Sequence, residues 1–157
     1  MRKIATLLEL RGYVLRSGGA DGADSAFYEG LSDKANAEIY LPWDGYNGHS
    51  HKACIPAEAY RLVENLVPDF QYRSQAVQHL FAGNAQQILG KDLDSPSEFV
   101  ICYTRDGYTG PHDRSFRTGG TKIAIDLAVS IGIPVFNIKR IDHHNTVVNY
   151  FNDDHLL

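Results

Sequence analysis

Eight consecutive residues, Ser17-Gly18-Gly19-Ala20-Asp21-Gly22-Ala23-Asp24, bring together a hydroxyl, three glycines and two carboxylates. Glycines at such a turn let the backbone approach a ligand closely, and a helix N-terminus behind them favours anionic groups. Ser17 and the Gly18-Gly19-Ala20 amides could hold phosphate or ribose. The carboxylates of Asp21 and Asp24 would repel phosphate, so they suit ribose hydroxyls, a sugar carbon or a bridging cation better. The alternative reading is a tight turn in which Asp21 and Asp24, three residues apart, form a capping box. The motif lacks the Gly-Lys-Ser/Thr of a Walker loop and is not a full G-x-G-x-x-G.

A second glycine turn, Arg117-Thr118-Gly119-Gly120-Thr121, opens another helical stretch. Thr118 fits the N-cap, and Arg117 could make a bidentate phosphate contact. The alternative, a capped helix with a surface arginine, is compatible with the first. Thr104, just past an apolar run, joins Thr118, Gly119, Gly120 and Thr121 as an expected ligand contact. Lys122 is expected to be solvated. Trp43, the single tryptophan, could stack on a base with Tyr46 beside it, or could plug the edge of the core.

Several histidines offer other chemistry. His112-Asp113-Arg114 lies in the loop before the second turn, where His112 could act as an acid over a bound ligand; a solvated loop is the plainer alternative. His49, His51 and Cys54 have a spacing that is not a usual structural-zinc pattern, so no metal is expected, and no cofactor either. His143, His144 and His155 read as surface residues of a polar tail.

These residues need elements to hold them. Helical spacing of Ile4, Leu7, Leu8 and Arg11 predicts a helix over 2–11 with Gly12 as its stop. A short strand follows over 13–16, a helix over 21–32 and a strand over 38–41 ended by Pro42. Pro56 suits the first position of a helix over 57–66. Apolar positions 76, 77, 80, 81, 85, 88 and 89 predict a helix over 73–89, stopped by Gly90. Phe99 to Tyr103 is a buried strand. A polar, glycine-rich loop over 105–117, expected to be mobile, precedes a helix over 122–131. Gly132 stops that helix, and a last buried strand covers 134–138. From Asp142 the chain is a helix or a loose end. Alternating strands and helices predict an α/β domain, one mostly parallel sheet with helices on both faces and both glycine turns on its carboxyl-end rim. The chain opens on a helix where such sheets usually open on a strand. Either a strand is lacking, or a partner chain supplies it, or the native start lies upstream of Met1.

Bulk properties narrow the classes. A chain of 157 residues suits one domain with a real core, and 43% hydrophobic with 22% charged residues is a globular balance. Fifteen basic against nineteen acidic residues give −4, with no basic run, which weighs against a large nucleic-acid footprint. No apolar stretch approaches the ~20 residues of a membrane helix, and no signal peptide opens the chain. Cys54 and Cys102 form no motif and suit free thiols in a reducing compartment, so a cytoplasmic location is expected.

Three segments together, Arg16 to Asp24, Leu41-Pro42-Trp43 with Tyr46-Asn47-Gly48, and Thr118-Gly119-Gly120-Thr121 with Gly132-Ile133-Pro134-Val135, resemble the SLOG superfamily. Its small DprA-like members of phage and bacterial genomes are the nearest in pattern, over residues 12–140. Asn84 and Gln87 are similar to the family's helix motif, with Gly83 where an arginine is usual. The resemblance implies a Rossmann-like three-layer fold whose pocket takes nucleotides or nucleotide-derived signals, and an assembly into homo-oligomers. In the superfamily's phosphoribohydrolases the second turn carries Gly-Gly-x-Gly-Thr-x-x-Glu. Here Ala124 stands at the glutamate position, and Asp126, two residues on, is turned ~200° around the helix.

Three functions follow. A binding protein, sensor or sequestering, is the preferred expectation, with a nucleotide or nucleotide-derived small molecule as partner. An enzyme cleaving or transferring N-glycosidic bonds would use Asp21 or Asp24 as nucleophile or base and His112 as acid. A DprA-like role on single-stranded DNA would use rim amides and Trp43 or Tyr46, against the acidic balance.

Overall fold

The computed structural model describes residues 1–113 and 118–152. They form a mixed α/β structure of six α-helices and two short parallel two-stranded sheets, divided between two compact units, Met1–Ser97 and Glu98–Leu157. No helix among the described residues is long and apolar enough to cross a membrane.

In the first unit, α1 (Arg2–Leu10) ends one residue before the expected bound, with Gly12 at φ +83° just beyond it. Strand β1 (Leu15–Ser17) starts two residues later than the sequence suggests. It pairs in parallel with β2 (Ala37–Ile39), Leu15 opposite Ala37 and Ser17 opposite Ile39. Between them α2 (Ala23–Glu29) is only seven residues long, against twelve expected. Two glycines trim it. Gly22 at φ +93° delays its start. Gly30 ends it against α1, where a Cβ would overlap the Arg2 carbonyl oxygen and lie 2.7 Å from the Arg2 Cα. Thr6 Oγ1 seals the approach by donating to the Gly30 carbonyl at 2.6 Å.

Two further helices complete this unit. Pro56 precedes α3 (Ala57–Glu64) with extended dihedrals, one position before the first-turn place expected of it. Ser74 caps α4 (Gln75–Leu89) by accepting from the Val77 amide, and Gly90 at φ +80° stops it. Residues Ala82, Ala85, Ile88 and Leu89 of α4 are buried, as are Ala59 and Val63 of α3. Arg16 ties β1 to the segment after α4, donating to Glu38 at 2.7 Å and to the Ser95 carbonyl.

The second unit repeats the strand–helix–strand plan. β3 (Val100–Cys102) lies parallel to β4 (Val135–Asn137), Val100 opposite Val135 and Cys102 opposite Asn137. The connecting helix α5 (Thr121–Ser130) buries Ile123, Ala124, Ile125, Leu127 and Ala128. Parallel pairing demands such a crossover, which is why the helices are legible between strands. Cys102, Tyr108 and Ile125 pack together with Val100 and Val135. Burial pushes the Cys102 thiol up to about 12, so it stays a protonated core residue. The tail resolves into α6 (Ile141–Asn152), which buries Val147.

Candidate functional site

The first glycine turn is built outward from β1. Ser17, the last strand residue, is buried, and its Oγ accepts the Gly19 amide at 3.2 Å. Asp24, in the first turn of α2, reaches back rather than capping its own helix. Its Oδ2 accepts both the Gly18 amide at 3.1 Å and the Ala20 amide at 3.2 Å. The capping-box alternative for Asp21 and Asp24 therefore does not form: the N-cap position is Gly22, which has no side chain to offer. A carboxylate already stands where these amides would receive an anion. Asp21 itself is exposed.

Two other segments close on this turn. From the loop after β2, Asn47 Nδ2 donates to the Gly19 carbonyl at 3.0 Å, and Asn47 itself sits at φ +47°. A Cβ at Gly19 would lie 2.9 Å from both His49 Nε2 and Leu41 Cδ2, so only glycine lets the ring and the aliphatic side chain come this near. His49 also stands edge-on to Tyr28 at 5.8 Å between ring centroids. Partial burial pushes the Tyr46 phenol above its usual range. The Asn47 side chain opposes that shift, and the negative charges of Asp21 and Asp24 add to it. Trp43 meets Tyr46 edge-on at 5.0 Å and remains 40% exposed, so it does not plug the core. From α4, Gln87 packs against Gly18 so closely that a Cβ there would fall inside its amide, and Gln87 Nε2 donates to Asn84 Oδ1 at 3.0 Å.

Of the expected contacts, Ser17, Gly18, Gly19, Ala20, Asp24, Trp43 and Asn84 are thus gathered in the first unit, with Asp21 beside them. His49, Asn47 and Gln87 belong with them. Sequence reasoning weighed His49 only as a metal ligand and reached Gln87 only through the family resemblance. The Leu41-Pro42-Trp43 and Asn47-Gly48 pattern was the usable signal.

The other expected contacts lie in the second unit, where a different polar cluster appears. Thr104 and Asn137 are buried: Asn137 Nδ2 donates to Thr104 Oγ1 at 2.6 Å and to the Tyr108 carbonyl at 2.9 Å. Asn137 Oδ1 accepts from the Lys139 amide at 3.1 Å, and the Asn137 amide donates to His143 Nδ1 at 3.0 Å. His143 is therefore no surface residue; it is half-buried with its ring edge-on to Phe136. Thr118 does not cap α5. The N-cap position is Gly120, and Thr118 Oγ1 instead donates to Asp106 Oδ2 at 2.9 Å. The three-residue Thr118-Gly119-Gly120 turn carries the threonine too far back to reach the first helical amides. Gly119, Gly120 and Thr121 are exposed, and among the described residues a Cβ on either glycine would meet nothing within 4 Å.

Lys122 is not merely solvated. Its Nζ donates to Tyr108 Oη at 2.8 Å and pairs with Asp126, while Tyr108 Oη donates to Asp126 Oδ1 at 2.6 Å. Burial raises the Tyr108 phenol, helped by Asp126. For Lys122, burial works against the charge, but the bonds to Asp126 and Tyr108 outweigh it and raise the ammonium too. Both shifts favour the protonated forms, and through these bonds the trio clamps α5 to the loop after β3.

His112 is exposed, its Nε2 3.2 Å from Thr109 Oγ1. Asp113 accepts from the Thr109 hydroxyl and amide, both at 2.7 Å; these bonds, the hydroxyl foremost, hold its carboxyl below the usual range. Arg117 and Arg114 lie outside the described residues, as does His155.

Comparison with protein-family models, with curated proteins and with solved structures finds no match. The site's chemistry has to carry the functional reading. Among the described residues no group of three His, Cys, Asp or Glu side chains is placed to hold a metal ion. What the first unit gathers around this turn is an exposed indole, two carboxylates, an imidazole and side-chain amides, with the glycine backbone itself occupied by Asp24, Asn47, Gln87 and His49. Such a mixture of one aromatic face with a few convergent polar groups suits a small planar ligand carrying hydroxyls.

Proposed function

We propose that this chain binds a nucleotide or nucleotide-derived small molecule at the first glycine turn, acting as a sensor or sequestering protein. The observation that carries the reading is the closure of the 43–49 loop on that turn. Asn47 bonds Gly19, Tyr46 sits under the charge of Asp21 and Asp24, and Trp43 stays exposed beside Tyr46. An indole for a base and a carboxylate for a sugar then belong to one unit. The two parallel strand–helix–strand units support assigning the chain to the Rossmann-like three-layer class and to the DprA-like members of the SLOG superfamily. A cytoplasmic homo-oligomer is part of the same proposal, and a monomer by light scattering would remove that part.

Ala124, buried in the second unit, stands where the resemblance would put the phosphoribohydrolases' glutamate, and this speaks against turnover. The deciding experiment is mass spectrometry of small molecules released on denaturing the purified protein, paired with thermal shifts against a nucleotide panel. An intact nucleotide released unchanged, with a shift equivalent to roughly 2.7 kcal/mol at 100-fold its Kd, supports the reading. Release of a free base or sugar phosphate replaces it with N-glycosidic cleavage. A salt-sensitive shift with oligonucleotides alone replaces it with single-stranded DNA binding.

A further inference from the structure

Of the eight asparagines in the chain, only Asn47 precedes a glycine. Both residues of this step are exposed, and both stand at left-handed φ, +47° for Asn47 and +76° for Gly48. A residue with a side chain keeps such a φ only while its contacts hold it there. Here the contacts are two hydrogen bonds. Asn47 Nδ2 donates to the Gly19 carbonyl at 3.0 Å, and the Gly48 amide donates to the Gly45 carbonyl at 3.1 Å. We propose that Asn47-Gly48 is a self-modification site: deamidation, with water as co-reactant, converts Asn47 to aspartate or isoaspartate and irreversibly releases the 43–49 loop from the first glycine turn.

The chemistry lies within the chain. The Gly48 nitrogen attacks Asn47 Cγ, and the new C–N bond closes a succinimide ring. The Cγ–Nδ2 bond breaks, and Nδ2 leaves as ammonia with the proton of the Gly48 nitrogen. Water then opens the ring: attack at Cγ gives aspartate, and attack at the Asn47 main-chain carbonyl carbon gives isoaspartate. Glycine as the second residue leaves the path to Cγ clear, since it has no Cβ to obstruct it. In the closed loop both reacting groups are engaged, the attacking nitrogen with Gly45 and the leaving amide with Gly19. Closure therefore protects the site, and the reaction proceeds from the opened loop. The product cannot restore the closure. A carboxylate oxygen only accepts, and so does the Gly19 carbonyl that it would face. The new charge also joins those of Asp21 and Asp24, which already act on neighbouring Tyr46. This holds whatever the first turn binds.

The test incubates the full chain in mildly alkaline buffer, with and without guanidinium chloride, and locates amide-to-acid conversion by peptide mass spectrometry. Conversion should appear first at Asn47, about tenfold more slowly in native buffer than in denaturant, the protection expected of two ordinary hydrogen bonds. Trp43, the single tryptophan, lies in the same loop and reports its opening. Acrylamide should quench Trp43 more strongly in the converted protein and in Asn47→Asp than in the unaltered chain. Equal rates with and without denaturant overturn the inference, as does another asparagine that converts sooner. Quenching that is unchanged in Asn47→Asp overturns it too. If Asn47→Asp fails to fold, the converted protein supplies the same readout.

Discussion

The two glycine turns share letters and differ in almost every contact. The first is filled and covered: Asp24 occupies its amides, Gln87 and His49 lie against its glycines, and Asn47 holds its carbonyl. The second has no described atom within 4 Å of where a Cβ on Gly119 or Gly120 would stand, and its Thr118 is drawn back onto Asp106. A Gly-Gly step therefore declares a backbone geometry and little else. What the geometry serves is decided by side chains that sit far along the chain, such as Gln87, or only five residues past the second glycine, such as Asp24.

Matched substitutions should separate the turns. Gly19→Ala puts a Cβ at φ +68° and 2.9 Å from both His49 and Leu41. Left-handed strain and overpacking together should cost about 3 kcal/mol by chemical denaturation. Gly119→Ala, at φ +67° with nothing within 4 Å among the described residues, carries the strain without the overpacking and should cost about 1 kcal/mol. Equal losses would mean that the first turn is no more tightly enclosed than the second. Asp24→Ala leaves two amides of the first turn without their acceptor and should lower stability by about 2 kcal/mol. Thr118→Val removes one hydroxyl bond behind the second turn, worth about 1 kcal/mol. If it matches Asp24→Ala, the contrast between a filled and an anchored turn fails.

A smaller effect is set by pH. Asn36, then the amides of Ser32 and Asp33 and the Ser32 hydroxyl, lower the Glu9 carboxyl from 4.5 to about 2. A depressed carboxylate stabilises the fold above its unfolded value and loses that contribution as pH falls from about 4.5 towards 2. Glu9→Gln should therefore flatten the acid limb of the melting-temperature profile in that window and change little between turns. An unchanged acid limb would show that these bonds do not persist in solution.

Much of the scaffold was legible because its signals are local. Gly12, Gly90 and Gly132 stop helices at left-handed φ, as a chain without side chains at those points must. The apolar period of 76–89 locates α4 to within two residues. The failures are tertiary. α2 is short because Gly30 meets the backbone of α1, a contact that no spacing within 21–32 encodes. Asp24 is a plausible cap by position, yet it turns back to the preceding loop. His143 looks like a residue of a polar tail because α6 buries only a narrow stripe, and the Asn137 amide that His143 accepts belongs to another element. At the candidate site the glycines, the aspartates and Trp43 were readable; the imidazole and amide partners were hidden by distance along the chain.

Asn137 has a consequence for how the second unit avoids wrong answers. Its side chain has a donor end and an acceptor end that cannot be exchanged, and each end is met by its complement from Thr104, Tyr108 and Lys139. A slide of β4 along β3 by two residues would keep the same side chains on the same face, so hydrophobicity alone would tolerate it. The amide would not, because Thr104 and Tyr108, which take its donor end, stay with β3 and leave that end dry. Three residues of strand carry too few ladder bonds to enforce their own alignment. One buried amide supplies the missing proofreading.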